Sequence, residues 1–399
     1  LRGPRRRCAR LAAWLGASLL SVAAGAQELG AGVQLHGFAS QGAVWTSDNR
    51  VGGAKGGSVG FDLRELGANL SWRPDPDWLL SGQVLARWAG DTDDGEPRVD
   101  YAYLDRSWRL HEASRVGIRL GKIKNPYGFF NVTRDVAHTR PGVIMPQSIY
   151  LDQIRNFVLA APGIALHGDS DMSFGSLSWQ LGALRPQVDD ADMEYVFLLG
   201  DMPGRFQGAN SWMGQVLLEP DGGRWRLGLS VGELNMRYRP GAVDPLRPGR
   251  HTLPTWALSV EHNDEHWSVT GEYAQTTNQA RGYGPIMDPN PDNTLEAWYV
   301  QATRRFGQDW RAYARYDVLY LDRKDRDGAR FALQAGRPGH TRYARDWVVG
   351  VRRDIDRFAL WLEYHHVDGT AWLAGIDNPD PQRRKRAWDM VLLQAAWYF

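Results

Sequence analysis

Cysteine is almost missing: Cys8 is the single one in 399 residues. A disulfide framework is excluded, and so is a metal site built from thiolates. Beyond residue 26 no uninterrupted apolar run reaches the ~18 residues of a spanning helix. The mean hydropathy of −0.46 is likewise too polar for a helical membrane bundle. An excess of one charge sign is also lacking. The 47 basic and 46 acidic side chains leave a net charge of +1, which gives no support for a nucleic-acid partner. Disorder is excluded by the 43% hydrophobic content. What is plentiful is Gly (44), Trp (18) and Tyr (15), the composition of many turns and of many side chains suited to an interface.

The first residues read as an address. Arg2, Arg5, Arg6, Arg7 and Arg10 precede an apolar run from Leu11 to Ala24, which closes with Ala24-Gly25-Ala26. A basic segment, an apolar segment and a small-residue site make a secretory signal peptide over residues 1–26, with cleavage between Ala26 and Gln27. The run of 14 residues is too short for an anchor. Cleavage leaves 373 residues, no cysteine, and 42 basic against 46 acidic side chains. An exported chain of that size without disulfides is held by its architecture alone.

The mature chain alternates with period two. In Trp78–Trp88 the positions Trp78, Leu80, Gly82, Val84, Ala86 and Trp88 share one face, against Ser81, Gln83 and Arg87. Trp225, Leu227, Leu229 and Val231 alternate with Arg224, Arg226, Gly228 and Ser230, and Trp310–Tyr320 repeats the pattern. Each such segment is a strand with one apolar face. Sixteen strands are expected, at 33–46, 59–72, 78–89, 98–109, 115–123, 157–168, 173–184, 211–219, 224–236, 255–262, 266–276, 294–306, 310–321, 345–353, 357–367 and 387–399. The pattern slips in 59–72, and both faces of 98–109 carry charge. Short and long connections alternate, which gives eight long loops on one side. That asymmetry belongs to an outer-membrane barrel with short periplasmic turns and long external loops. The fold class is therefore all-β: a transmembrane antiparallel barrel over residues 27–399, with both termini periplasmic. Trp72, Trp78, Trp88, Trp225, Trp267, Trp310, Trp347, Trp388 and Trp397 are expected in its interfacial girdles.

The last strand ends on Phe399, with Val391, Leu393, Ala395 and Trp397 on the same face. A terminal aromatic on an alternating strand resembles the signature that the barrel-assembly machinery of bacterial outer membranes reads. The longest connection, 124–156, is the third long loop and is dense in Pro, aromatics and cations. The segment Arg119-Leu120-Gly121-Lys122-Ile123-Lys124-Asn125-Pro126-Tyr127-Gly128 resembles the strand-to-loop motif of the phosphate-selective porin O and P family, with Ile123 and Tyr127 where that family usually has Phe. The resemblance implies a sixteen-stranded porin with an inward-folded third loop that narrows the channel, a homotrimer, and a role in passive diffusion of ions and small hydrophilic solutes. No anion ladder is found elsewhere in the chain, so phosphate selectivity does not carry over.

A constriction is a ring of charges in a low-dielectric wall, whose sign biases entry. Its candidates are Arg119, Lys122, Lys124, Arg134, Arg140 and Arg155, with Asp135 and Asp152 as acids. Wall candidates are Arg87, Arg311 and Arg315 with Glu65, Glu272, Asp317 and Glu363. Six cations against two acids in the loop region favour weak anion preference. The alternative is a channel selective for a small organic acid or sugar, with Tyr127, Phe129, Phe130 and Tyr150 as a binding track. An outer-membrane hydrolase would need clustered Ser, His and acid, which is not evident, and an adhesin is the remaining option. No cofactor and no metal site are expected: His262 and His266 lack a third ligand, and His365 and His366 point to opposite faces. Asp322, Asp325 and Asp327 are interleaved with cations and lack the terminal Glu of a calcium loop. The run Arg383-Arg384-Lys385-Arg386 suits lipopolysaccharide headgroups better than nucleic acid.

N-terminal sequencing of the exported protein is expected to begin at Gln27. A retained Leu1 would turn the leader into an anchor.

Overall fold

The computed structural model describes residues 27, 28, 30–190, 192–198, 200–285 and 292–399; the expected signal peptide, residues 1–26, lies outside them. Sixteen antiparallel strands form one closed sheet. They are β1 (Val33–Thr46), β2 (Arg64–Asp75), β3 (Trp78–Ala89), β4 (Arg98–His111), β5 (Ser114–Lys124), β6 (Ala160–Met172), β7 (Gly175–Leu184) and β8 (Ser211–Pro220). The ring continues with β9 (Trp225–Arg239), β10 (Gly249–Asn263), β11 (Trp267–Arg281), β12 (Asn293–Phe306), β13 (Trp310–Tyr320), β14 (Tyr343–Ile355), β15 (Phe358–Gly369) and β16 (Ala387–Tyr398). Each strand pairs with its sequence neighbours, and β1 pairs with β16 in the register Phe38↔Tyr398 to Thr46↔Met390. Short pairs of residues at Gln27–Glu28, Val59–Gly60 and Asp93–Asp94, and the segment Arg205–Gly208, extend individual ladders.

Closure is completed beyond β16. The Phe399 amide donates to Gly37 O at 3.0 Å, and the Gly37 amide donates to Phe399 O at 3.2 Å. The Phe399 ring lies where a Cβ on Gly37 would be, so this position needs glycine for close approach.

The alternation sets the two faces. Leu66, Leu70, Leu80, Val84, Leu227, Leu229, Leu258, Val300, Val349, Leu360 and Leu393 are large apolar side chains exposed on the outside. Glu65, Gln83, Ser230, Glu272, Gln301, Arg315, Asp317, Asp346 and Glu363 are buried on the inside. Near the turns Trp78 and Trp108 stack against Arg106, and Trp310 against Arg353. This is the girdle arrangement of an aromatic body in the apolar band and a cation at its rim.

Four expectations need correction. Residues 157–159 are not strand: Arg155–Leu159 is a short helix, and β6 starts at Ala160. The Asp190 carboxylate accepts the Asn156 and Phe157 amides at 2.9 Å each, which caps that turn. Residues 61–63 fall outside β2 because Leu63 has φ of 59°, where extended pairing breaks. Hairpin β9–β10 is longer than expected and runs through Pro254, whose lack of an N–H leaves two rungs to β11 missing while the register holds on both sides. Trp388 is no girdle residue: it is 1% exposed on the inner face, beside Trp372 at 5.3 Å. Position in the sheet was readable for Trp388, but its phase places it inside.

The substitution Gly37→Leu should displace the Phe399 ring and destabilise the closed barrel by about 1–3 kcal/mol, the usual cost of overpacking. Heat-modifiable gel mobility of the refolded protein reads this directly; unchanged mobility would deny the seam its role.

Candidate functional site

The third long loop, residues 125–159, lies against inward-facing side chains of strands around most of the ring. Its anchors are wall carboxylates. Glu272 on β11 accepts the Phe129 amide at 2.8 Å, the Tyr150 hydroxyl at 2.7 Å, the Tyr299 hydroxyl at 2.8 Å and the Ser259 hydroxyl at 2.5 Å. Glu363 on β15 accepts the Val143 amide at 2.9 Å and the Tyr313 hydroxyl at 2.5 Å. Asp317 on β13 accepts the Ser148 amide at 3.5 Å, and Glu65 on β2 takes the Arg140 guanidinium at 2.6 and 2.8 Å. Cations and amides supply further ties. Arg352 donates to His138 O at 2.7 Å, Gln301 to Pro141 O at 3.0 Å, and Gln215 to Gly128 O at 2.7 Å. The His138 ring stacks on Tyr398 at 3.9 Å, near the C-terminal end of β16.

The local sequence explains this placement. Pro126, Gly128, Pro141, Gly142 and Pro146 interrupt any regular element. The freed backbone amides then need acceptors, and buried polar groups without partners are costly. The inner wall provides those acceptors as charged carboxylates, which make the stronger hydrogen bonds.

The expected constriction charges are brought together, but in closed pairs. One chain of ion pairs joins Asp100 to Lys124 at 3.1 Å, Lys124 to Asp135, and Asp135 to Arg155. A second joins Arg134 to Asp152 at 2.6 Å, Asp152 to Arg87 at 3.0 Å, Arg87 to Asp93 at 2.5 Å and to Glu65 at 3.5 Å, and Glu65 to Arg140 at 2.6 Å. Five cations and five acids thereby cancel. Burial pushes the Asp152 carboxyl up, but the facing Arg87 and Arg134 guanidiniums more than offset it and hold the group well below the usual carboxylate range. Burial lowers Arg134 to about 10. The tally of six cations against two acids is therefore corrected by wall acids that the loop sequence does not contain. Asp93, Asp100 and Asp105 are the residues that sequence reasoning missed.

Asp100 had a legible signal in retrospect. β4 carried charge on both faces because a β-bulge shifts the register between Gln83 and Val84 on its partner, so Asp100 adds an extra inward carboxylate.

The remaining expected residues are placed as follows. Arg119 is not in either chain; on the β5 wall it pairs with Asp105 at 2.8 Å and lies over Tyr103. Lys122 donates to Val99 O at 2.7 Å and has no carboxylate partner among the described residues. Arg311 pairs with Asp354 at 3.4 Å, and Arg315 reaches Gln301 at 3.2 Å. Arg87, Arg315, Asp317 and Glu363 all face inward as the alternation requires. The proposed aromatic track is corrected: Tyr150 is fully buried, Phe129 nearly so, and Tyr127 and Phe130 pack on the same apolar cluster. These rings fasten the loop and offer no open face for a solute. An open space of about 280 Å³ lies beside the loop, between Arg87, Arg98 and Lys122 on one hand and Asp93, Glu96 and Asp189 on the other.

The adjacent histidines meet carboxylates. His365 sits between Asp346 at 2.8 Å and Glu363 at 3.3 Å, and His366 on the outer face meets Asp389 at 2.9 Å. No Ser, Thr or Cys side chain bonds to either imidazole among the described residues. Asp325 and Asp327 cap local turns of the seventh loop, with Asp325 accepting the Arg330 amide at 3.0 Å.

No protein-family model matches the sequence, and no curated protein matches it. Solved structures do match. The outer-membrane channel DcaP of Acinetobacter baumannii is 15% identical, with 95% of this chain and 100% of that chain covered and a TM-score of 0.58. An anion-selective porin from Comamonas acidovorans is 12% identical over 92% of this chain and 99% of that one, with a TM-score of 0.54. OmpF of Salmonella typhi is 13% identical over 92% and 97%, also with a TM-score of 0.54. At these identities the likeness is one of fold: the closed sixteen-strand barrel is that of outer-membrane porins and channels. The finer resemblance to the phosphate-selective porin O and P family rests on the ten-residue motif alone.

Replacing Glu272 by Ala would leave four donors unpaired inside the barrel, at about 1–3 kcal/mol for each group left unsatisfied. The expected outcome is a folded barrel whose third loop becomes sensitive to limited proteolysis. A loop as resistant as wild type would remove Glu272 as an anchor.

Proposed function

We propose that the chain is an outer-membrane porin, a water-filled channel for passive diffusion of ions and small hydrophilic solutes. One observation carries this reading: a barrel with an apolar outside holds a long loop against its charged inner wall and leaves a polar space beside it. A loop fixed in that manner narrows a passage without sealing it. The first 26 residues direct export, the barrel resides in the bacterial outer membrane, and the protein is not an enzyme. Phe399 serves the barrel-assembly machinery, and Arg383, Arg384, Lys385 and Arg386 lie toward lipopolysaccharide headgroups. A homotrimer uses outer-wall stretches of small residues, with Ala39 on β1 and Ala183 on β7 as candidates.

Ion selectivity is weak, because the two ion-pair chains are internally balanced and buried pairs leave little field in the passage. Lys122 stands outside both chains and beside the open space, where its charge pulls toward anions against Asp94, Glu96 and Asp189. Arg119, Lys124, Arg134, Asp135, Arg140 and Arg155 fix the shape of the constriction more than its sign. The reading of a substrate-selective channel loses its aromatic track and is the less supported one.

The reversal potential in a planar bilayer under a tenfold KCl gradient tests this. Lys122→Glu should move it toward cation selectivity. Lys124→Glu should instead weaken the barrel, because it places a third acid beside Asp100 and Asp135. An unchanged potential in Lys122→Glu would reject the role of that residue, and no conductance from a folded barrel would reject the porin.

A further inference from the structure

The eighth external loop, residues 370–386, joins β15 to β16, and the fourth, residues 185–210, joins β7 to β8. In a ring of sixteen strands these two gaps are eight strands apart, on opposite sides of the mouth. Yet the Ile376 amide donates to the Asp192 carboxylate at 2.8 Å, and Gly375 lies against the Tyr195 ring. The eighth loop therefore crosses the mouth. On the way it is tied to the second loop, where the Asp91 amide donates to Asp377 at 2.9 Å. It is also tied to the third, where Gln153 donates to Leu373 O. Leu373 is fully buried and Trp372 packs on Trp388, so the base of the crossing is seated in the barrel.

The latches are all carboxyl groups that receive backbone amides. Asp190 holds the fourth loop on the third through the Asn156 and Phe157 amides. Asp192 Oδ2 is buried with no hydrogen-bond partner. The charges that act on these groups are mostly of their own sign. Asp190 faces Asp189 and Asp93; Asp192 faces Asp377 and, as its cation, Arg384; Asp377 faces Asp91 and Asp62, with Arg50 as its cation.

We propose that the eighth loop is an acid-tightened strap across the external mouth, latched by protonated Asp192 and Asp377 and supported by Asp190.

The physical reason is the cost of burying a carboxylate whose neighbours are acids. Burial first, and then those like charges, push Asp190 up to about 7, and Asp192 and Asp377 to about 6. A released strap returns Asp192 and Asp377 to water, where the ordinary value is 3.8. The strapped position thus binds protons more tightly than the released one. By linkage, falling pH favours the strapped position and rising pH releases it, with the change spread between the strapped values of about 6 and the released value of 3.8. Each latch near 6 shifts the equilibrium about tenfold between pH 8 and pH 5.

The inference rests on the channel reading for its consequence but not for its geometry, so two readouts are used. Single-channel conductance should be lower at pH 5 than at pH 8. Amide hydrogen exchange of the 370–386 segment, corrected for intrinsic rates, should show the segment more protected at pH 5. The pair Asp192→Asn and Asp377→Asn keeps an acceptor oxygen and removes the proton, so it should stay at the low-conductance, protected level at both pH values. Equal exchange protection of the wild type at pH 5 and pH 8 would overturn the strap, as would a double variant that titrates like wild type. Lost conductance with pH-dependent exchange would keep the strap and strike only at the channel.

Discussion

In hydrocarbon a backbone amide or carbonyl has no water to turn to, so every one on the outer wall must be paired within the chain. The β1–β16 seam satisfies that requirement, and the rest of the molecule follows from it. Closure gives the sheet an inside. It turns one half of every alternating strand into a lumen wall, and it fixes which loops face each other across the mouth. A β16 slipped by one residue would send Met390, Leu392 and Gln394 toward lipid and Leu393 inward.

The lumen is then a place where charge is expensive, and the chain handles that in two ways. Carboxylates at Glu272, Glu363 and Asp317 are spent on backbone amides and hydroxyls of the third loop. Cations of the loop are spent on acids of the wall, in pairs between Lys124 and Asp100 and between Arg140 and Glu65. Such pairs give modest net stability but penalise any arrangement that separates them. They are therefore better suited to holding one loop geometry than to holding the fold. The external loops follow a different rule: Asp190, Asp192 and Asp377 have amides for partners and acids for neighbours, so their state depends on the proton.

The fold was highly legible because a barrel strand carries its own evidence, a period of two and a turn at each end. Segments such as Trp78–Ala89 and Val33–Thr46 needed nothing else. Where the reading failed, a local backbone event had shifted the phase, as at the bulge beside Asp100, the positive φ of Leu63 and the helix capped by Asp190. The site was legible in its parts only. Wall carboxylates and loop cations could be named from alternation and position, but which would meet which depends on how a 35-residue loop lies across the wall. Lys122 and Lys124 look alike in sequence, yet one is paired and the other is not. Asp192 and Asp377 gave no signal, since an acidic residue in a polar loop is ordinarily solvated.

The third loop also has a mechanical side. It is bonded to β2 through Arg140 and Glu65, to β8 and β9 through Gly128, to β11 through Phe129, and to β14 and β15 through His138 and Val143. These strands lie on opposing arcs of the ring, so the loop acts as a tie-beam. A cylinder with such a beam cannot flatten into an ellipse without stretching several charged hydrogen bonds at once. Lateral pressure from the surrounding bilayer is thus borne across the diameter as well as around the circumference, and the cross-section is set from within.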